Sequence, residues 1–185
     1  METFEAIQKR ASLKARLSAR EIEPWKIARV LEAARLAPSS RNRQPWRFVV
    51  VKGKDAVVRV VEGSFRDANQ VAKEAPVVII ACANPADDET VNGQEIYLFD
   101  VALAVENLVL AATDLGLVTH LMRAVDEDKL KNLLGLPAEV RFVIATPLAY
   151  PIGRSYEEAA QERLGQRTRK DAKEVVYLNT WGSAF

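Results

Sequence analysis

One histidine, His120, and one cysteine, Cys82, are all that this 185-residue chain has of the two residue types that most often carry nucleophilic, metal-assisted or redox chemistry. With no second histidine, a multi-histidine metal centre is excluded, and we expect no metal. A Ser-His-Asp site would have to be built on His120, which lies inside the apolar segment "LVTHLM". Cys82 sits within "APVVIIACA", where a thiol has neither exposure nor a neighbouring base, and alone it forms no internal disulfide. The eight glycines never fall into G-x-G-x-x-G or G-x-x-x-x-G-K-[ST], which removes the dinucleotide fingerprint and the P-loop. The longest apolar run, residues 75–83, falls short of the roughly 20 residues of a membrane span. The first ten residues, "METFEAIQKR", are charged and lack the apolar core of a secretory signal. A net charge of +1 supplies no general attraction to nucleic acid or an anionic membrane, so neither is expected as a partner. Together with the lone thiol, these features point to a cytoplasmic protein. If the chain is an enzyme, a bound cofactor rather than a side-chain nucleophile carries the reaction.

What is present is an ordinary globular composition, 49% hydrophobic and 28% charged, on a chain long enough to build its own core. Ile27, Val30, Leu31 and Ala34 recur at helical spacing and predict a helix over 23–37, which Pro38 ends. Residues 47–51 ("RFVVV") and 75–83 read as strands, the second without polar alternation and therefore buried on both faces. Residues 96–115 predict a long helix, apolar over most of its circumference and stopped by Gly116. Such a helix must be covered nearly all round, and a partner subunit is one source of that cover. Further strands are expected at 117–122, 140–150 and 174–178 ("EVVYL"), and a short helix at 126–134. Ser155 and Glu158 have capping-box spacing before a helix in "YEEAAQERLG". Residues 84–95 form the one clearly loop-like polar stretch. This order of elements indicates an α+β fold or an α/β fold with a mixed sheet.

Three polar clusters stand out. Arg10, Ser12 and Lys14 lie at i, i+2, i+4 in "KRASLKAR", and in an extended conformation such residues share a side. Arg167 and Arg169 repeat the i, i+2 spacing in "GQRTRK". Two such clusters would supply charge-assisted hydrogen bonds to a phosphate monoester, each worth about 1.5–3 kcal/mol. Alternatively, 26 basic residues generate such pairs on a solvated surface, and spacing leaves both readings open. The third cluster is "APSSRNRQPWRF", residues 37–48, at the seam between a helix and a strand. Pro38 and Pro45 fix its backbone, while Ser39, Ser40, Asn42 and Gln44 offer donors and acceptors on short arms, a set suited to the edge of a heterocycle. An ordinary Ser- and Asn-rich turn is the other reading.

The succession "KRASLKAR", "AARLAPSSRNRQPWRFVVV", "EAPVVIIACA", "LVLAATDLGL" and "RTRKDAKEVVYLNTWG" resembles the nitroreductase family of FMN-dependent oxidoreductases over nearly the whole chain. The resemblance implies one α+β domain over residues 1–185, a mixed, mainly antiparallel sheet flanked by helices, and an intertwined homodimer with FMN between subunits. It implies that Arg10, Arg167 and Arg169 meet the FMN phosphate and that Ser12 and Lys14 lie along the ribityl chain and pyrimidine ring, Lys14 stabilising the reduced flavin. Pro38, Ser39, Ser40 and Asn42 would approach from the other subunit, Asn69 would contact the flavin ring, Gln44 would brace the loop and Trp46 would be core. Arg123 and Ala124 would lie beside flavin N5, where many relatives carry a Gly pair or Glu-Gly. Arg41, at a loop position where smaller or apolar residues are common, would border the acceptor pocket, reach a nicotinamide-cofactor phosphate, or be simply exposed. Ala11 replaces a residue that is often basic, and residues 84–95 are short where longer relatives insert helices. The implied reaction passes a hydride from NAD(P)H through flavin N5 to a small acceptor, such as a nitroaromatic or quinone, by a ping-pong cycle. Two alternatives are a flavin protein of the same fold without NAD(P)H turnover and an oxygen-using flavin enzyme; a third is an interaction module with basic ends.

Overall fold

The computed structural model describes residues 1–14 and 17–185; Ala15 and Arg16, which end the N-terminal basic motif, lie outside the described residues. The chain runs through α1 (Thr3–Lys9), β1 (Leu17–Ser18), α2 (Pro24–Arg35), β2 (Trp46–Lys52), α3 (Lys54–Ser64), β3 (Val77–Ala83), β4 (Thr90–Val91) and β5 (Gln94–Glu95). It continues through α4 (Ile96–Asp114), α5 (Glu127–Leu134), β6 (Arg141–Leu148), β7 (Tyr150–Pro151) and α6 (Tyr156–Gly165). Strands β2, β3 and β6 form an antiparallel sheet in that order, and β1 pairs antiparallel with β7. The architecture is the expected α+β. Helices α1 and α3 are additional to the elements expected from the sequence.

Strand β3 explains its unbroken apolar sequence. Val77, Ile79, Ala81 and Ala83 enter one core with α2 and α4, while Val78, Ile80 and Cys82 enter a second with Val57, Val60 and Val61 of α3 and Leu130 of α5. Successive side chains of a strand point to opposite faces, so a strand covered on both must be apolar throughout. Truncating Ile80, which is fully buried, to Ala would cost about 2–5 kcal/mol. Cys82 shares this burial, which, with the charge of Glu127 second, pushes its thiol up to about 12. A third cluster joins Ala11, Leu13 and Leu17 to Val118 and to Tyr156, Ala159 and Ala160 of α6. It ties the N-terminal segment to the last helix.

Two expected strands are corrected. Residues 117–122 do not form one continuous strand: Val118 pairs with Ala149 and Met122 with Ala145, as isolated bridges. That register sets His120 opposite Pro147, which has no N–H to give, and the His120 N–H donates instead to Thr146 Oγ1 at 3.0 Å. The "EVVYL" segment is also not a strand. A 3₁₀ turn, Ala172–Glu174, takes in its first residue, Tyr177 makes only an isolated bridge with Ala184, and Val175 and Leu178 are exposed. Within residues 84–95, an Asn92–Gly93 turn with φ of 52° and 77° closes the β4–β5 hairpin, the left-handed pair such two-residue turns require. Helix α4 satisfies the length and hydropathy of a membrane span, yet it buries Val101, Ala104, Leu108 and Ala112 in the core. Its other face leaves Leu98, Phe99 and Leu103 exposed.

Candidate functional site

The chain beyond α1 is extended, and its alternation is the one the spacing predicts. Ala11 and Leu13 point inward and are buried, while Arg10 and Ser12 are half-buried and Lys14 is exposed. The segment is held at both edges: the Leu13 N–H donates to Thr119 O at 3.1 Å, and the Ala11 N–H to the buried Tyr156 hydroxyl at 2.9 Å. Ala11 therefore faces the interior, under α6.

Arg10, Ser12, Arg167 and Arg169 line one recess of about 350 Å³, so the two ends of the sequence meet there. Arg163, Gln166 and Thr168 complete its polar rim, and no Asp or Glu lines it. Arg10 Nε is buried without a hydrogen-bond partner among the described residues. An unpartnered buried donor of a cation is costly unless a ligand supplies the acceptor. An adjoining cavity of about 260 Å³ shares Ser12, Arg163 and Gln166 and adds Lys14 and Arg154. Arg154, Arg163 and Gln166 escaped the sequence reading. The available signal for Arg163 and Gln166 was the helical spacing of 159 and 163 on α6 and of 166 at its C-cap, which only the position of that helix makes meaningful.

Asn69 is buried beside the other sequence-matched pair. Its Nδ2 donates to Ala124 O at 3.1 Å, and the Arg66 N–H donates to the same carbonyl at 3.0 Å. Asn69 thus fixes the backbone of 123–124, while the Arg123 side chain is exposed. His120 lies nearby in sequence, buried, with Nδ1 unpartnered among the described residues. Burial foremost, then the charges of Lys14 and Arg163, holds its imidazole below the ordinary range.

The Pro38–Gln44 turn lies elsewhere and lines neither cavity. Arg41, Asn42 and Gln44 all have positive φ (46°, 58° and 51°), a conformation that costs non-glycine residues energy and has to be held by its surroundings. Those surroundings are acidic. The Ser40 N–H donates to Asp100 Oδ2 at 2.9 Å and the Ser40 hydroxyl to Glu89 at 2.6 Å. Burial pushes the Asp100 carboxyl up against the pull of that N–H, with Asp88 and Glu89 adding to the rise. Glu89 is held below its usual range by the Ser40 hydroxyl and, after it, by Arg41 and Arg43. Arg41 pairs with Glu89 at 3.5 Å and is exposed. The Gln44 N–H donates to Ser39 Oγ at 3.0 Å, so Gln44 braces the turn; Trp46 is core. Pro38 and Asn42 are exposed beside Ser39 and Ser40.

Fold and site together define an α+β protein whose two ends close on a cationic recess. The profile of the nitroreductase family matches residues 7–70 and 62–153, and the chain belongs to that family. A protein of Archaeoglobus fulgidus, provisionally named NADH dehydrogenase/NAD(P)H nitroreductase, is 30% identical over 155 residues, covering 81% of this chain and 86% of the relative. The crystal structure of a nitroreductase family protein from Clostridium novyi NT is 33% identical with a TM-score of 0.77, covering all of this chain and 97% of the other. A nitroreductase-type structure from Desulfovibrio desulfuricans, solved in complex with FMN, shares the fold at 22% identity and a TM-score of 0.77, covering 98% of each chain.

Proposed function

We propose that this chain is an FMN-dependent NAD(P)H oxidoreductase that works as a homodimer. The observation that carries the reading is the recess: Arg10, Arg167 and Arg169 converge with Ser12, no carboxylate intervenes, and a buried Arg10 nitrogen lacks an acceptor. A phosphate monoester dianion fits that donor set, since guanidinium groups bind such oxygens through short, charge-assisted hydrogen bonds. When bound, FMN supplies hydride chemistry at N5, between NAD(P)H and a small acceptor such as a nitroaromatic or quinone in a ping-pong cycle.

The chain's own contribution is placement and charge. Arg10, Arg167, Arg169 and Ser12 hold the phosphate end. Lys14, two residues further along the same side, puts a cation where negative charge develops on reduction. Asn69 and the 123–124 backbone form the remaining polar edge of the same subunit. Pro38, Ser39, Ser40 and Asn42, presented on a turn that Asp100 and Glu89 hold in place, serve the partner's site, with Arg41 bordering its acceptor pocket. The exposed face of α4 and the exposed tail supply the dimer contacts. Strand β2 has a free edge among the described residues, and "EVVYL", strand-like in composition and paired here only through an isolated Tyr177–Ala184 bridge, has a partner's β2 as an available template.

The visible spectrum of the purified protein tests the reading. A flavin band that bleaches on anaerobic addition of NADH or NADPH is expected. A flavin band that neither nucleotide bleaches would leave a flavin protein without this reductase activity. A colourless protein that takes up no added FMN would remove the reading altogether.

A further inference from the structure

Helix α6 brings to the recess a residue that neither basic motif contains. Ala159, Arg163 and Gln166 stand at i, i+4 and i+7, one helical face, and that face lines the cavity beside Ser12 and Lys14. Arg163 and Gln166 also line the recess with Arg10, Arg167 and Arg169, so Arg163 stands where the two cavities meet. Its position is set by packed structure. Tyr156, Ala159 and Ala160 are buried against the Ala11–Leu13 segment, and a complete Ser155–Glu158 capping box starts the helix.

The arginines around the recess differ in what they already bind. Arg167 Nη2 donates to Gln8 O at 2.9 Å and Nη1 to Arg10 O at 3.3 Å, satisfying carbonyls at the end of α1. Arg169 Nη1 donates to Thr168 O at 2.8 Å. Arg163 has no hydrogen-bond or ion-pair partner among the described residues, although Glu162 lines the adjoining cavity. Arg163 is exposed on the helix surface. Four guanidinium groups around one recess repel each other, and an unanchored side chain on a helix surface would ordinarily swing away into water unless an anion draws it in.

We propose that Arg163 is a phosphate-binding residue of the cofactor site, closing the recess from α6 with a guanidinium whose donors are uncommitted, while Arg167 divides its donors between the ligand and the α1 carbonyls. The inference rests on the FMN reading above and makes the site selective for phosphorylated flavin over riboflavin.

Titration of flavin-stripped protein with FMN and with riboflavin, followed by quenching of flavin fluorescence, tests it. Arg163→Gln is expected to weaken FMN binding about tenfold or more, with riboflavin binding and the Tm of the stripped protein unchanged. Arg163→Lys, which keeps the charge without the planar fork, should lose less. Arg167→Gln should weaken FMN binding and also lower the Tm of the stripped protein, because the α1 carbonyls lose their donors. Unaltered FMN affinity in Arg163→Gln, or equal losses for FMN and riboflavin, would overturn the proposal and leave the FMN reading standing. A wild-type protein that quenches neither flavin would overturn both.

Discussion

Tyr156 sets the shape of the recess without lining it. Its hydroxyl accepts the Ala11 N–H, and Ala11 lies between Arg10 and Ser12, so one buried oxygen fixes the backbone from which both polar side chains project. Tyr156→Phe leaves that N–H without a partner and should destabilise the protein by about 1–3 kcal/mol, read by denaturant unfolding. A coordinated drop in FMN affinity is expected. His120 governs a different property. Its folded pKa lies below the unfolded value of 6.5, chiefly through burial, so between those two values the unfolded chain binds the extra proton and stability falls as pH falls. The depressed carboxylates Glu23, Glu89 and Glu127 lose their contribution only from about their unfolded value of 4.5 downward, and the raised Asp100 opposes the trend. His120→Asn is therefore expected to flatten the decline in Tm between pH 7 and pH 5; an unchanged slope would assign that decline to other groups.

At the scale of elements, α6 joins the packing of the N-terminal segment to the cationic recess, and its first turn is where it can be weakened cleanly. The Glu158 N–H donates to Ser155 Oγ at 3.2 Å and the Ser155 N–H to Glu158 Oε2 at 2.7 Å. Ser155→Ala removes the first of these and should cost about 1 kcal/mol in a thermal melt, with no new charge near the recess. This capping box could be read in advance, because it depends on residues three apart. The interruption at 117–122 could not. Val118, His120 and Met122 have strand-like neighbours, but Pro147 and Thr146, which break the ladder, lie some 25 residues further on, and only the register sets them opposite His120.

At the scale of the whole molecule, apolar surface is left where none of the described residues covers it. Phe99 on α4 is 54% exposed, and Trp181 and Phe185 in the tail are 91% and 85% exposed. Exposed large apolar side chains of this kind suit the subunit contacts of the proposed homodimer. On the homodimer proposed above, removing residues 170–185, which keeps the arginines of the recess, is expected to shift the protein toward monomer in sedimentation, as is Phe99→Glu. Retention of a full dimer by both variants would mean that the subunits meet through another surface.

The sequence alone determined whatever depends on local spacing or on chemistry that is absent. The inward Ala11 and Leu13 and outward Arg10, Ser12 and Lys14 follow from a period of two, and the unbroken apolar β3 follows from burial on both faces. Tertiary structure decided which distant groups meet. It brought Arg167 and Arg169 across more than 150 residues to Arg10, placed Asn69 against the carbonyl of Ala124, and seated the Ser39–Gln44 turn on Asp100 and Glu89. It also placed Arg163 in the lining of the recess, since a helix's sequence specifies which residues share a face, whereas long-range packing determines what that face looks upon.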